Sequence, residues 1–512
     1  EVCAGRTIVH STDYVFSFAI TNPGADQASP AIQVGAYTTM AVIADSLMVK
    51  SHALVVGVVN GSDPFQIVVP IFNDKSVSQS TPLPGFNNTL TLHLRSSINL
   101  QSSDFSQITI SGFFGAVADP VASLSVLKNG LNTVDLFCEA DSPAGGNYGV
   151  WDYETWTLVV KICSGQIFEA GSRYEVKWVV QNPQVDQASP LIRISAVGTA
   201  KFLVTAVSKP GADILGVSNG VDPLLVITPT FVTKMLAQSN FLAAEENLIT
   251  ATLMTNVDVG SAGYAFISIC CLDSAATSGT EVAVQVRGTG DAIVPRFCGG
   301  VQGSGDEGFG IWNSSSFEIS FHLCARAEND TAKAENETAN MVESFSEYVV
   351  SFYVTNPAWH QNSSSVIVWT DDYFRIAEAS MNKPGTVFSG VEFGSDPLKV
   401  VIPEFSTRAI GQSSPFSDQL NRITVTLVST VQLVGANQAE VTVTGLNAGP
   451  QIWSNVTVEG AIAGSFCIGP EPENVGQAHY VADAGLVRLV LCPEAVLEAV
   501  TIYVISFQLK NP

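Results

Sequence analysis

Four stretches of the chain alternate large apolar residues with smaller or polar ones at a period of two. In "TDYVFSFAITNP" (12–23) the apolar set is Tyr14, Phe16, Phe18 and Ile20, and in "SRYEVKWVVQNP" (172–183) it is Tyr174, Val176, Trp178 and Val180. "SEYVVSFYVTNP" (346–357) offers Tyr348, Val350, Phe352 and Val354, and "TIYVISFQLKNP" (501–512) offers Tyr503, Ile505, Phe507 and Leu509. This period predicts a strand with one face in a core, and the closing proline, which has no N–H for the ladder, marks its end. Helical periodicity is nearly absent. The best candidate, "NFLAAEENLITA" (240–251), predicts one helical turn at most before a strand.

Further phrases recur in fixed order, so whole modules repeat. "DQASP" (26–30) returns at 186–190, with "HQNSS" at 360–364. "GSDPFQIVVPIF" from Gly61 matches "GVDPLLVITPTF" from Gly220 and "GSDPLKVVIPEF" from Gly394. "SQS", "AQS" or "GQS" follows, then "NTLTLHL", "NLITATL" or "NRITVTL". The terminal asparagines of the four strands, Asn22, Asn182, Asn356 and Asn511, lie 160, 174 and 155 residues apart. Counted from the tyrosine strand, the modules are predicted at 12–172, 173–346 and 347–501. Residues 1–11 are then the tail of a preceding module and 502–512 the first strand of a following one. Many short alternating segments separated by turn residues make this an all-β tandem array of immunoglobulin-like or β-sandwich modules of about 160 residues. Whether each is one large sandwich or two smaller halves is open.

Composition changes the picture in two ways. Charged residues are 14% of the 512, against about 25% in a typical soluble domain, which implies strands covered on both faces by modules, subunits or glycans. The net charge of −24, with no basic cluster, excludes a nucleic-acid footprint. No apolar run is long enough for a spanning helix.

The cysteines are in phase with the repeat. Cys138 and Cys163 are 25 apart, Cys298 and Cys324 are 26 apart, and Cys467 and Cys492 are 25 apart. Each pair brackets a loop rich in glycine and acidic residues followed by one strand, which predicts three disulfides closing C-terminal hairpins in an oxidising compartment. Close CxxC pairs, which a zinc site needs, are missing. The vicinal Cys270 and Cys271 are either a strained disulfide or two thiols. Sequons head at Asn60, Asn87, Asn313, Asn329, Asn336, Asn362 and Asn455, the expected sites of N-linked glycans on a secreted protein.

Catalytic patterns dissolve on comparison between repeats. "GVSNG" (216–220) has the form of a nucleophile elbow, yet its counterparts are "GVVNG" (57–61) and "GVEFG" (390–394). "GSGDEG" (303–308) leads into a strand pattern and not the helix that a phosphate loop needs. The six histidines, His10, His52, His93, His322, His360 and His479, occupy no repeated position. Asp63, Asp222 and Asp396 do repeat, each before a proline. They are the candidates for calcium, a cation that takes carboxylate oxygens from loops; the plainer reading is a turn-opening carboxylate that accepts local N–H groups. No catalytic residue, no metal site beyond these and no cofactor other than glycans is expected.

The motifs "YVVSFYVTNP", "DQASP", "SDPLKVVIPEF", "NRITVTL" and "ITISGF" together resemble the tandem repeats of very large secreted or cell-surface proteins of algae and other protists, filament or mastigoneme-like. The second module departs from the pattern, with "FISICCLD" in place of "ITISG". The resemblance implies an extracellular, non-enzymatic repeat glycoprotein that forms or decorates a surface fibre through neighbouring copies or modules. The alternative is an adhesin or glycan-binding array, which should repeat exposed loop aromatics. Trp151, Trp156, Trp312, Trp359 and Trp453 are not in phase across the modules, although Trp151 and Trp312 sit alike in their disulfide loops. Cys3 precedes Tyr14 by the 11 residues that separate Cys163 from Tyr174, so it is expected to bond a partner outside the chain. The last strand is expected to pack into the sheet of a following unit.

Overall fold

The computed structural model describes residues 1–138, 146–260, 264–290, 294–300, 304–324, 340–448, 454–469 and 474–512. Two compact units divide the chain, Glu1–Thr228 and Pro229–Pro512. Sheet dominates both, and each sheet bends into a barrel-like sandwich.

In the first unit one layer runs Phe72–Gln79, Asn87–Ser96, Tyr174–Gln181, Val121–Lys128, all antiparallel. Val121–Lys128 then turns the corner. Its residues 125–128 pair with the tyrosine strand, and 121–124 pair with Asn147–Asp152 in the opposite layer. That layer continues through Thr157–Ile162, Gln107–Ser111, Arg193–Val197 and Phe202–Ala206. Within the tyrosine strand the predicted apolar set faces the core, with Tyr174, Val176, Trp178 and Val180 all at most 2% exposed. Register sets Val176 against Leu92 and Trp178 against Leu90, so two buried rows interdigitate. Burial of this kind is worth about 2 kcal/mol per large side chain.

The second unit repeats the plan twice. Glu246–Thr255, Tyr348–Thr355 and Glu281–Gly288 lie side by side beneath the edge strand Phe231–Gln238. Leu420–Ser429, Tyr503–Lys510 and Asn455–Glu459 do the same beneath Phe405–Gln412. Each tyrosine is fixed by a local bond across five residues. Its hydroxyl accepts the N–H of Glu169, Glu343 or Glu498 at 3.0, 3.2 and 2.7 Å for Tyr174, Tyr348 and Tyr503. The disulfides clamp the far layer, with Cα separations of 5.1 Å for Cys138–Cys163, 4.8 Å for Cys298–Cys324 and 5.0 Å for Cys467–Cys492. Residues 240–245 make no helical turn, and Glu246 opens a strand directly.

The module boundaries need correction. The tyrosine strand does not open a module; it is inserted between two strands that precede it, so the cut at 172/173 would split one sheet. The same holds at 346/347 and at 501/502. The last strand therefore closes the third sandwich itself, with Ile505, Phe507 and Leu509 buried there, and does not wait for a following unit. The first copy behaves differently from the other three. Tyr14, Phe16, Phe18 and Ile20 are 46–82% exposed, and 12–23 is not a strand. Each of the other copies is flanked by two strands earlier in sequence, and residues 12–23 pair with no strand among the described residues. Periodicity states which face of a strand is buried, but not which strands flank it.

Candidate functional site

What the repeats share, beyond apolar packing, is a chain of buried side-chain amides at one edge of each sandwich. In the first, Asn182 ends the tyrosine strand and donates to the carbonyls of Thr81 and Leu83 at 3.0 and 2.8 Å. Its Oδ1 accepts from Asn88 at 2.8 Å, and Asn88 also donates to Gln79 Oε1 at 2.8 Å. Gln79 reaches outward to the Asp-Pro loop of residues 208–228. It donates to Gly220 O and Leu225 O at 2.7 and 2.9 Å and accepts from Leu224 N at 2.7 Å.

The second sandwich repeats this atom for atom. Asn356 holds the carbonyls of Asn240 and Leu242, Asn247 bridges Asn356 and Gln238, and Gln238 donates to Gly394 O at 2.8 Å and Lys399 O at 2.9 Å. In the third, Asn511, Asn421 and Gln412 form the inner part of the chain, with Asn421 donating to Asn511 at 2.8 Å and Gln412 at 2.9 Å. The Gln412 side chain is exposed there, whereas Gln79 and Gln238 are buried.

The Asp-Pro loops thus cover the edge strands. Val77 N donates to Ser208 O and Gln79 N to Val221 O; Leu236 N donates to Asn382 O and Gln238 N to Ser395 O. A bare edge invites pairing with other chains, and these loops occupy it. Asp222 Oδ1 accepts Gly211 N at 2.8 Å and Asp396 Oδ1 accepts Gly385 N at 2.7 Å, closing the loops across eleven residues. Asp63 likewise accepts His52 N at 2.8 Å. The three carboxylates thus each serve one backbone N–H, and among the described residues no group of three metal-ligating side chains occurs.

The other predicted positions scatter. Asn60, Asn87, Asn313 and Asn362 are exposed, Asn455 is half-buried, and Asn329 and Asn336 lie outside the described residues. Cys3 is an exposed thiol. Cys270 and Cys271 are two thiols with sulfurs 2.9 Å apart, and burial together with its neighbour pushes Cys270 up to about 12. His322 accepts or donates to Tyr264 Oη at 2.8 Å, and burial holds its imidazole below the usual histidine range. Trp151 and Trp312, the aromatics at matching positions, are buried and face cores; Trp359 is exposed, and Trp453 lies outside the described residues.

Amides do not titrate at ordinary pH, so the shared site binds backbone and transfers no proton. Sequence reading met every member of it as a marker, in "SQS", "NTLTL" and "TNP", without assigning its chemistry. The signal was the repetition of Gln and Asn at sites where a strand end or turn tolerates many residues.

No family model and no curated protein sequence matches the chain. Solved structures similar to it include the C-terminal domain of the Streptococcus pyogenes antigen I/II-family protein AspA, at 8% identity over 61% of this chain and 98% of that one, with a TM-score of 0.32. The Streptococcus agalactiae antigen I/II polypeptide BspA C-terminal domain matches at 8% identity over 61% and 99%, TM-score 0.32. The collagen adhesin of Staphylococcus aureus matches at 10% identity over 61% and 91%, TM-score 0.18. At such values the likeness is in β-rich architecture and brings no activity with it.

Proposed function

We propose that the chain is a non-enzymatic adhesive array, secreted or displayed on a cell surface, in which disulfide-closed sandwiches carry contact loops in series. The observation that carries this reading is the closure of each sandwich by its own tyrosine strand, Tyr503–Lys510 included. A series of self-closed sandwiches suits independent contacts, whereas a strand-exchanged fibre needs an open slot as well as a free strand; the copy at 12–23 is free, but the slot in each of the three sandwiches is filled. Surface adhesins are among the structurally similar proteins, which fits the proposal without adding weight to it. The disulfides suit an oxidising compartment, and N-glycans are proposed at the exposed Asn60, Asn87, Asn313 and Asn362.

The second reading is a structural glycoprotein of a surface fibre. It is favoured by one observation: Trp151 and Trp312, the in-phase aromatics that a glycan-binding array would expose, are buried. Negative-stain microscopy with binding to immobilised glycans and matrix proteins separates the two. Beaded particles that bind a ligand support the adhesive array. Long uniform fibres with no ligand bound would overturn it.

A further inference from the structure

The second sandwich departs from the other two at one corner, where a pair of cysteines replaces a glycine turn. Ser111-Gly112-Phe113, Cys270-Cys271-Leu272 and Thr444-Gly445-Leu446 lie at the end of the same strand in the three repeats. Each corner is tied in the same way: Phe113 N donates to Trp156 O at 3.2 Å, Leu272 N to Phe317 O at 3.1 Å and Leu446 N to Gly485 O at 2.8 Å. The middle residue has left-handed backbone in all three, with φ of 100° at Gly112, 65° at Cys271 and 81° at Gly445. Glycine takes that backbone freely, whereas a residue with a Cβ is strained in it. Beside the strained cysteine stands a second one. Cys270 is held in the ladder opposite Ile367, as Ser111 is opposite Arg193. The peptide between the two cysteines is therefore anchored on both sides, and the half-buried sulfurs are kept 2.9 Å apart. Burial, the Cys271 thiol and the carboxylates of Glu318 and Glu378 push the Cys270 thiol up to about 12, which makes it the poor nucleophile of the pair.

We propose that Cys270 and Cys271 form a thiol–disulfide exchange site that closes to a vicinal disulfide, separate from the three bridges that clamp the sandwiches. The oxidant is a low-molecular-weight disulfide. Cys271 gives its proton to solvent, and its thiolate attacks one sulfur of the oxidant, forming a mixed disulfide and expelling the other half as a thiolate. Cys270 then loses its proton and attacks Cys271 Sγ; the bond to the small thiol breaks, and an eight-membered ring closes. Two cysteine thiols are oxidised and one small disulfide is reduced to two thiols, so electrons and protons balance. An excess of small thiol runs the same steps backwards. The three hairpin bridges are built differently, because each constrains a loop of 25 or 26 residues. A ring across a single peptide bond has no such loop to hold and is strained, so it opens at a reductant level that the bridges survive. The site serves the chain whether it is an adhesive array or part of a fibre.

The test equilibrates the intact 512-residue chain with oxidised and reduced glutathione at graded ratios, quenches with an alkylating agent and maps the peptides by mass spectrometry. In oxidising mixtures the peptide holding Cys270 and Cys271 should be two hydrogens lighter and refuse the alkylating agent. It should open to two alkylated cysteines at a ratio that leaves Cys138–Cys163, Cys298–Cys324 and Cys467–Cys492 closed. Cys270→Ser removes the resolving thiol, so glutathione should stay trapped on Cys271. Cys271→Gly leaves Cys270 alone, and it should take up glutathione about 10-fold or more slowly than Cys271 does in Cys270→Ser. The two substitutions together restore the Ser-Gly corner of the first sandwich, so the fold survives, and circular dichroism checks this. Two alkylatable thiols in a mixture that keeps the three bridges closed would overturn the proposal. A pair that opens only together with those bridges would overturn it equally, as would a Cys270 that reacts in Cys271→Gly as fast as Cys271 does in Cys270→Ser.

Discussion

Replacing glutamine by alanine at the three equivalent positions separates a closed joint from an open one within one molecule. Gln238→Ala removes two donated bonds, to Gly394 O and Lys399 O, and the acceptor of Leu398 N at 2.8 Å. Leu398 is fully buried, so its N–H is left without water or partner at a cost of about 1–3 kcal/mol. The two carbonyls and the Asn247 amide each lose one bond of about 0.5–1 kcal/mol net, bringing the whole to about 3 kcal/mol. Gln79→Ala should match it, since Leu224 N donates to Gln79 Oε1 at 2.7 Å. Gln412→Ala loses only the bond from Asn421, in a wet setting, and should cost under about 1 kcal/mol. Hydrogen exchange of the dilute, unassociated chain reads the difference directly. Exchange at Leu398 should rise by about 100-fold in Gln238→Ala, while peptides of the third sandwich barely change in Gln412→Ala. Equal effects at Gln238 and Gln412, or an unchanged Leu398 amide, would refute the assignment.

Three further outcomes are expected. Replacing Cys138 and Cys163 together by alanine should lower the stability of the first unit by about 3 kcal/mol, the loop-entropy value for a 25-residue closure, and an unmoved urea midpoint would contradict this. Trp178→Ala should cost about 4 kcal/mol, whereas Phe18→Ala at the same phase of the first copy, 79% exposed, should stay within about 0.5 kcal/mol on thermal melting. His322 is held below its ordinary value of 6.5 by burial, so the unfolded chain takes up its proton first. The second sandwich should therefore lose stability as pH falls through about 6.5, a slope that His322→Gln removes; a slope that persists in the variant would place the effect elsewhere.

The sequence carried the strands and their faces, because a period of two is a local property. Tyr174, Val176, Trp178 and Val180 could be placed in a core from their spacing alone. It did not carry the partners of that strand, which lie in earlier parts of the chain, and so the boundaries drawn at the tyrosines fell inside sheets. The Asn-Pro endings were read through proline, the residue that cannot join a ladder. The asparagine turned out to hold two carbonyls and the next amide in the chain. Asp63, Asp222 and Asp396 admitted two readings that composition could not separate; the backbone bond across eleven residues becomes visible only when the loop is closed. Exposure at Tyr14 was equally hidden, because its period-two spacing is the same as that of the buried copies.

The insertion of each tyrosine strand between two earlier ones also dictates an order of events during synthesis. Strands Asn87–Ser96 and Val121–Lys128 leave the ribosome well before Tyr174–Gln181, the strand that joins them. From residue 128 to residue 181 is 53 residues, about 3–10 s of translation at ordinary elongation rates. For that interval the nascent sandwich holds an apolar slot lined by Leu90, Leu92 and Val126, wide enough for one strand. Of the three tyrosine strands still to be made when the slot opens, Tyr174–Gln181 arrives first and is the correct one, so the copy at 12–23 is the single competitor already present. Vectorial synthesis therefore selects among near-identical sequences that a chain refolding from denaturant meets all at once, and refolding in vitro should be the less faithful of the two.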